Sequence, residues 1–427
     1  MSDSEHPACD RRRFMQFVAA ASLMPLLGTA AAGEPAPQPG ANPAPPAPPA
    51  PAALPKEGER VPRRKLGKTG VEVSCLAFGI TARPKPEVFD RALKWGIDHW
   101  DTAASYAGAE AAIGAYLKAN KGLREKLFLS TKPADITTPE PVYADMEASL
   151  DKSLATIGIE HIDFFLGIHA CPRPTCITDE FLRFGEDMKK KGKIRFFGFS
   201  NHASTSDNLA KAAPLPGIDA ILVAYNFRQT ASQKLRASME ACVKAGIGLI
   251  AIKGQGFGVR QLNEKDEALL AAFRGRGFNE AQAKAKLVLE EPLITSLAVG
   301  MKTVEVVDSS AGAAILKEKL SALDRQALEA FAFSSACSYC AGCVQHCGGP
   351  GMARSAVADV MRCHMYDRVY DDRAFAEQAF ALIPAEGKEY LRRGDLAAAE
   401  RLCPHQLPIE SMVDEALARF GRAPSIT

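Results

Sequence analysis

The sequence has almost no net charge and no long internal apolar segment, and both features exclude broad classes of protein. Its 52 basic and 50 acidic residues leave a net charge of +2 over 427 residues, and no basic stripe of the kind that binds nucleic acid is present. Outside the N-terminus, no apolar run reaches the length of about eighteen residues that a membrane-spanning helix needs. We therefore expect neither a nucleic-acid partner nor an internal membrane anchor.

The N-terminal segment has the pattern of an export signal. In "RRRFMQF", Arg11, Arg12 and Phe14 have twin-arginine spacing, and an apolar stretch and the small residues of "AAAG" follow. We expect a twin-arginine signal peptide over residues 1–32, export to the periplasm, and no stable membrane anchor after cleavage. Residues 33–60 form a Pro/Ala-rich linker, which favours extended polyproline II and cannot bury a core. Twin-arginine export carries folded proteins, so a cofactor inserted in the cytoplasm could travel with the chain.

Short apolar runs alternate with helical patterns from residue 61 onward. The runs are "VSCLAFG", "DHWDTA", "LFLSTK", "IDFFLGIH", "IRFFGFS", "AILVAYN", "GLIAIK" and "SLAVGM". They are apolar on both faces, which is typical of parallel strands covered by helices. Eight such units in about 250 residues predict a (β/α)₈ TIM barrel over residues 61–315. From the pattern alone, a doubly wound open sheet is the alternative.

Polar residues stand at the predicted C-terminal ends of these strands, where a barrel places its active site. They are Asp101, Tyr106, Lys132, His169, Ser200, Asn201, Asn226, Lys253 and the segment Gly300–Lys302. A single residue of this kind is usually a helix cap or a solvated charge. A set at successive strand ends instead indicates a functional site.

Four of these residues suit the reduction of a carbonyl group. The Tyr106 phenol has an ordinary pKa near 10, and a neighbouring Lys132 ammonium would stabilise the phenolate and lower that pKa. Asp101 would keep Lys132 charged and in place. Tyr106 would then donate its proton to the carbonyl oxygen as a hydride reaches the carbon, and His169 would orient that oxygen.

The segments that carry these residues resemble the aldo/keto reductases in order and spacing. They are "LGKTGVEVSCLAFG", "DTAASY", "STK", "IDFFLGIH" and "GKIRFFGFSN", and the resemblance covers about Arg64 to Ala314. It implies catalytic roles for Asp101, Tyr106, Lys132 and His169. It also implies a small-molecule carbonyl or alcohol as substrate.

The resemblance further implies NADP(H) as the cofactor. The candidate cofactor-binding residues are Ser200, Asn201, Asn226, Lys253, Gly300, Met301 and Lys302. The Ser–Asn pair matches the residues that hold the nicotinamide carboxamide, and the last three lie where the family binds the adenosine 2′-phosphate. The chain departs from the family at Leu222, Ile252 and Ser309, where a Gln, an aromatic residue and an Asn are common. Lys253 could offset this by meeting a cofactor phosphate as a point charge.

Past residue 315 the pattern is helical and carries a cysteine cluster. Cys337, Cys340, Cys343 and Cys347 have the C-x₂-C-x₂-C-x₃-C spacing of bacterial ferredoxins, and thiolates suit an iron–sulfur centre. We expect an all-α iron–sulfur domain over residues 316–427 with one [4Fe–4S] cluster, as in some aldo/keto reductase relatives with a ferredoxin-like extension. Zinc, which more often uses separated C-x₂-C pairs, and cramped disulfides are the alternatives.

The fourth cluster ligand is open between two cysteines. In ferredoxins with this motif the fourth cysteine is followed by proline and serves a second cluster. Cys347 is followed by glycine, whereas Cys403 is followed by Pro404 and is not preceded by further cysteines at the motif spacing. We expect Cys337, Cys340, Cys343 and Cys403 as ligands, with Cys347 as the alternative fourth. Cys363 and His364 stay unassigned, although His364 could replace a cysteine.

These observations predict an exported NADP(H)-dependent oxidoreductase with an iron–sulfur extension. The cluster would either pass single electrons or brace the helical domain. One alternative is an electron-transfer protein whose barrel works with a redox partner protein and uses nicotinamide poorly. Another is a non-catalytic nucleotide-binding sensor subunit. Cys171 and Cys176 also fall at the barrel mouth, where they could form a redox pair or line the substrate pocket, although isolated cysteines more often only pack.

Overall fold

The computed structural model of the chain describes residues 54, 56–133, 142–171, 173–202, 204–230, 232–256, 278–334, 340, 347, 352–368, 373–403 and 407–421. The expected signal peptide over residues 1–32 lies outside these described residues. Most of the expected linker over residues 33–60 also lies outside them.

Eight parallel strands close into a barrel, as the sequence predicts. The eight strands follow chain order around the barrel, and the last strand pairs back with the first. The alternative of an open doubly wound sheet is therefore wrong. The strands, including two of a separate hairpin, are β1 (Arg63–Lys65), β2 (Glu72–Ser74), β3 (Leu76–Gly79), β4 (His99–Asp101), β5 (Phe128–Thr131), β6 (Ile162–Leu166), β7 (Ile194–Asn201), β8 (Ala220–Ala224), β9 (Gly248–Ile252) and β10 (Ser296–Gly300).

The barrel interior is a packed apolar core. Phe128, Phe164, Leu222 and Ile250 are buried together there, since alternate residues of each strand point inward. The opposite strand faces pack against the helices in a second, larger core. Gly198 on β7 has a steric role, because a Cβ at this position would lie 1.9 Å from the backbone oxygen of Ala220 on β8.

A small antiparallel hairpin covers the N-terminal end of the barrel, which the sequence pattern did not predict. Strands β1 and β2 pair outside the barrel sheet, and Leu66 and Val73 pack into the barrel-interior core. The Arg64 guanidinium donates hydrogen bonds to the carbonyl oxygens of Leu289 and Ile294, at 2.6 and 2.9 Å. The barrel is thus closed at this end.

Helices surround the barrel and continue beyond it. Several begin at capping residues, such as Thr178 and the Asn279 capping box, which satisfy free backbone N–H groups. The helices are α1 (Pro86–Lys94), α2 (Ala109–Ala119), α3 (Tyr143–Ile157), α4 (Asp179–Lys190), α5 (Thr205–Ala212), α6 (Gln233–Lys244), α7 (Glu280–Leu289), α8 (Val304–Ile315), α9 (Ala322–Ser334), α10 (Met352–Arg368), α11 (Arg373–Ala381), α12 (Ala385–Arg393), α13 (Leu396–Leu402) and α14 (Ile409–Phe420).

The chain after the barrel is helical where it is described, as predicted. Helices α10 to α14 enclose a separate core, which we call the C-terminal core, built on Val357, Val360, Cys363, Cys403 and Val413 among others. Within the described part of the chain, no helix combines the length and apolarity that crossing a membrane requires.

Helix α9 packs on the barrel rather than on the C-terminal core. The Phe331 ring stacks on Phe227, with ring centroids 5.6 Å apart. The Arg228 guanidinium donates hydrogen bonds to the carbonyl oxygens of Gly256 and Ala332, both at 3.1 Å. The C-terminal end of α9 is therefore fixed beside the loops that follow β8 and β9.

Candidate active site

A buried ion pair lies at the C-terminal end of the barrel. Asp101 ends β4 and Lys132 directly follows β5, and these neighbouring strands bring the two side chains together. The Lys132 Nζ atom lies 2.9 and 2.7 Å from the two Asp101 carboxylate oxygens and 2.6 Å from the carbonyl oxygen of Thr102. Burial lowers the pKa of Lys132, and the Asp101 carboxylate opposes that shift. The pair therefore holds the ammonium in one position.

Tyr106 and His169 lie beside this ion pair. The Tyr106 ring centroid is 5.6 Å from Lys132 Nζ and 5.7 Å from the His169 ring centroid, with the two rings edge to face. A backbone hydrogen bond from the Tyr106 N–H to the oxygen of Ala103 forms the turn that carries the phenol. All four residues of the predicted catalytic set are thus gathered at one mouth.

The environment of His169 fixes its protonation. Its Nδ1 atom is 3.2 Å from the carbonyl oxygen of Pro133, which only accepts, so we assign the ring proton to Nδ1. Burial, with the charges of Lys132 and Lys253, lowers the pKa of His169 to about 3. The ring is therefore neutral at neutral pH, and its Nε2 atom is a hydrogen-bond acceptor.

The ends of β7 and β8 carry buried amides that suit a nicotinamide. The Nδ2 atoms of Asn201 and Asn226 and the Oε1 atom of Gln229 are buried without a hydrogen-bond partner among the described residues. Two donors at the ends of adjacent strands and one acceptor in the loop after β8 match a carboxamide, which offers one oxygen and one NH₂ group. The predicted nicotinamide site fits these residues.

Two residues of this mouth escaped the sequence interpretation. Gln229 lies in the loop after β8, and its unpartnered amide becomes evident only from the structure. His202 follows the Ser200–Asn201 pair, and its Nε2 atom is 3.1 Å from Ser200 Oγ. Its position directly after a strand end was the available signal. Burial, with the Lys253 charge, lowers the pKa of His202, which keeps the ring neutral.

The remaining cofactor candidates occupy two places. Lys253 follows β9 in a left-handed backbone conformation with φ of 61°, and its charge also contributes to lowering the pKa of Lys132. Gly300 and Lys302 are exposed at the N-terminal end of α8, a position that favours an anion such as a phosphate. Met301 is buried, with its side chain in the core, so only its backbone is available for a ligand.

Two of the three positions that depart from the family pattern are apolar and buried in the structure. Leu222 and Ile252 are buried in the barrel-interior core. They offer no polar group and no aromatic face to a cofactor. Ser309 instead contacts α7, since its carbonyl oxygen accepts a hydrogen bond of 3.1 Å from Gln282 Nε2.

The cysteine cluster is described in part. Cys340 and Cys347 pack against the C-terminal core, which contains Cys363 and Cys403. Burial raises the pKa of Cys347, and the nearby Cys403 adds to the shift. Cys337 and Cys343 lie outside the described residues, and within the described ranges no group of three or more potential metal ligands is found. His364 Nε2 is hydrogen-bonded to the carbonyl oxygen of Met412.

Comparisons with known proteins define the class to which this barrel and site belong. The aldo/keto reductase family model matches residues 79–313, which is more than half of the chain. The chain belongs to the aldo/keto reductase family, and it is an enzyme of the oxidoreductase class.

The individual relatives of the chain have low sequence identity to it. The chain is 33% identical over 168 residues to 6-dehydroglucose reductase of Novosphingobium aromaticivorans, covering 34% of this chain and about half (53%) of that protein. It is 23% identical over 299 residues to L-galactose dehydrogenase of Arabidopsis thaliana, and the match covers 63% of this chain and 92% of that protein. The holo form of an aldo-keto reductase from Bacillus halodurans superposes on the chain with a TM-score of 0.53 at 20% sequence identity. The match covers 64% of this chain and 96% of that protein, and it shows that the two share a fold.

Proposed function

We propose that this chain is an NADP(H)-dependent oxidoreductase that interconverts a carbonyl group and an alcohol. The observation that carries the proposal is the buried Asp101–Lys132 pair beside the Tyr106 ring. The unpartnered amides of Asn201 and Asn226 support nicotinamide binding, and the exposed Lys302 at the start of α8 supports the 2′-phosphate. When bound, the nicotinamide would supply or accept the hydride.

The residues of the chain would handle the proton and the orientation of the substrate. Tyr106 would donate its hydroxyl proton to the carbonyl oxygen during reduction and take it back during oxidation. Lys132, held by Asp101, would stabilise the phenolate that remains. The neutral His169 would accept a hydrogen bond at Nε2, which suits an alcohol hydroxyl better than a bare carbonyl oxygen.

We propose a hydroxyl-rich, sugar-like compound as the substrate. Two relatives are named for such compounds, 6-dehydroglucose and L-galactose. The mouth offers an acceptor for a hydroxyl group at the neutral His169 ring.

A cofactor and substrate assay tests this function. NADPH and NADH oxidation would be followed with 6-dehydroglucose and with a small apolar aldehyde, and NADP⁺ and NAD⁺ reduction with L-galactose. Turnover that prefers NADP(H) and the sugar substrates is the expected result. Equal use of both cofactors would remove the assigned phosphate site, and an absence of turnover with every pair would favour the nucleotide-binding sensor alternative.

We further propose one [4Fe–4S] cluster held by Cys337, Cys340, Cys343 and Cys403, with Cys347 as the alternative fourth ligand. The placement of Cys340, Cys347 and Cys403 on one core supports a common centre. The cluster would supply one-electron chemistry or brace the helices. Arg228 holds the C-terminal end of α9 beside the loops that follow β8 and β9, and Cys337 follows this helix in the sequence, which supports electron exchange with the site or with a redox partner protein.

Iron and acid-labile sulfide per chain, measured on protein purified without oxygen, test the cluster. Four of each per chain is the expected result for one cubane. Cys403→Ala should then lose iron and Cys347→Ala should keep it, whereas the reverse would exchange their roles. Zinc without sulfide would contradict the cluster.

We propose periplasmic localisation through the twin-arginine signal. The support is the Arg11–Arg12–Phe14 spacing in the sequence. Replacing both arginines with lysine should retain the full-length chain in the cytoplasm. Unchanged periplasmic recovery of this variant would contradict the assigned route.

A further inference from the structure

Two buried thiols meet in the loop that follows His169. The side chains of Cys171 and Cys176 are both 0% exposed and lie close enough to interact, and the Cys171 Sγ atom also donates a hydrogen bond of 3.4 Å to the carbonyl oxygen of Arg173. The 3₁₀ turn Pro174–Cys176 folds the chain back so that residues five positions apart come together. Both thiols are reduced in the structure.

The two cysteines are held by different parts of the molecule. Cys171 is fixed to β7, because its N–H donates a hydrogen bond of 2.8 Å to the carbonyl oxygen of Ser200. Cys171 also forms an isolated parallel β-bridge with Asn201. Its carbonyl oxygen accepts a hydrogen bond of 3.2 Å from Asn208 Nδ2 on α5. The Cys176 N–H, in contrast, bonds locally to the oxygen of Arg173. A covalent bond between the sulfurs would therefore link a local turn to the strand that carries the nicotinamide candidates.

We propose that Cys171 and Cys176 are a redox-active dithiol that closes reversibly to a disulfide and thereby alters substrate binding at the barrel mouth. The oxidant would be a low-molecular-weight disulfide. The first thiolate attacks one of its sulfurs and releases one thiolate. The second cysteine then attacks the mixed disulfide and releases the other. The two cysteine protons pass to the two released thiolates, so the pair loses two electrons and the oxidant gains them.

Formation of the disulfide should move the turn from Arg173 to Cys176 rather than strand β7. A disulfide has sulfurs about 2.05 Å apart, which is more than 1 Å shorter than a hydrogen-bonded thiol contact. Since Cys171 is fixed to β7 and α5, the turn from Arg173 to Cys176 has to take up this shift. That turn follows His169 at the mouth, so the KM for the substrate should change more than nicotinamide binding.

Formation of the disulfide should also be slow at neutral pH. The hydrogen bond with Cys176 and burial raise the pKa of Cys171, which makes the reactive thiolate scarce. Neither sulfur is exposed, so the loop has to open before an oxidant can reach it. The rate should therefore rise with pH.

Thiol mapping on the full wild-type chain tests the disulfide without needing activity. The protein would be incubated with glutathione disulfide, unfolded, alkylated and digested. The expected result is one disulfide between Cys171 and Cys176 that dithiothreitol reverses. The equally buried Cys75 and Cys242 serve as controls and should remain free for alkylation. A pair that stays reduced, or that is oxidised no more selectively than the two controls, would overturn the proposal.

Kinetics on the same samples test the consequence for the mouth. The KM for the substrate should differ by roughly threefold or more between the reduced and oxidised wild type, with a smaller change in the nicotinamide dissociation constant. Cys176→Ala should show no dependence on redox state, and Cys176→Ser replaces it if the alanine variant does not fold. Equal KM values in the presence of the mapped disulfide would overturn the effect on substrate binding.

Discussion

At the scale of single residues, the active-site mouth combines one buried ion pair with neutral rings. Lys132 and Asp101 compensate each other, while His169 is kept uncharged by burial. In the proposed reaction, a carbonyl oxygen bound at this mouth would meet Tyr106 as its proton donor, with the charged Lys132 beside the phenol ring. This division of roles predicts different consequences for substitutions of the phenol and of the ion pair.

Removing the Tyr106 hydroxyl should abolish turnover without unfolding the barrel. Tyr106→Phe loses the proton donor, and we expect kcat for carbonyl reduction to fall by about 10²–10⁴-fold. Steady-state kinetics and a nucleotide-binding titration would measure this, and binding should be retained. The matched control is Tyr116→Phe, which removes a hydroxyl that is bonded to Asp90 away from the mouth. Equal losses in both variants would contradict the role of Tyr106.

Removing the Lys132 ammonium should cost both stability and activity. Lys132→Met leaves the Asp101 carboxylate buried and uncompensated, and we expect the free energy of unfolding to fall by about 3–5 kcal/mol. Adding Asp101→Asn should recover much of that stability and none of the activity. Chemical denaturation measures the first effect and kinetics the second. The exposed pair Lys191–Glu147 provides a control, since Lys191→Met should cost less than about 1 kcal/mol.

At the scale of elements, close strand contacts determine where the cofactor candidates lie. Gly198 lies two residues before Ser200 on β7 and directly opposite Ala220 on β8. The absent side chain lets these strands approach. The position of the Ser200–Asn201 pair therefore depends on a glycine that has no chemical role of its own.

Adding a methyl group at Gly198 should disturb this register. In Gly198→Ala, the new Cβ would lie 1.9 Å from the Ala220 oxygen, so the strands have to separate. We expect the free energy of unfolding to fall by about 1–3 kcal/mol, measured by chemical denaturation, together with weaker nucleotide binding. Gly300→Ala has open space around its new Cβ, so its stability should stay within roughly 0.5 kcal/mol of wild type. A fully stable Gly198→Ala would contradict the contact.

The sequence predicted the repeating elements well, because period and burial are local properties. All eight barrel strands were predicted within a few residues, since each is apolar on both faces. The hairpin of β1 and β2 was missed, because its strands are three residues long and gain their burial from Leu66 and Val73 packing under the barrel. Gln229 was missed because an unpartnered amide is defined by its neighbours in space.

At the scale of the whole molecule, buried neutral histidines make stability dependent on pH. His99 lies inside the barrel with both ring nitrogens unpartnered among the described residues. Burial, opposed by Asp101, lowers the pKa of His99 from 6.5 to about 4. Between these values the unfolded chain binds a proton that the folded chain does not. Stability is therefore lost as the pH falls from about 6.5 to 4.

Replacing His99 should reduce this acid sensitivity. His99→Leu cannot take up a proton in either state, so its stability relative to wild type should grow by about 3 kcal/mol between pH 7 and pH 4. Denaturant unfolding at several pH values measures the difference. His161→Gln is the control, since this ring is only half-buried and its variant should change the pH profile less. Parallel stability profiles for wild type and His99→Leu would contradict the pKa shift.

The closed N-terminal end of the barrel has a practical consequence for attaching the enzyme to a surface. The described chain enters the barrel at this end, where the Val61 N–H donates to the oxygen of Trp95, just ahead of β4. The mouth lies at the far ends of the same strands. If the enzyme is coupled to a solid support through this end of the barrel, the active-site mouth should therefore face away from the support and stay accessible to dissolved reactants. Coupling through α9 would instead press the entrance against the support.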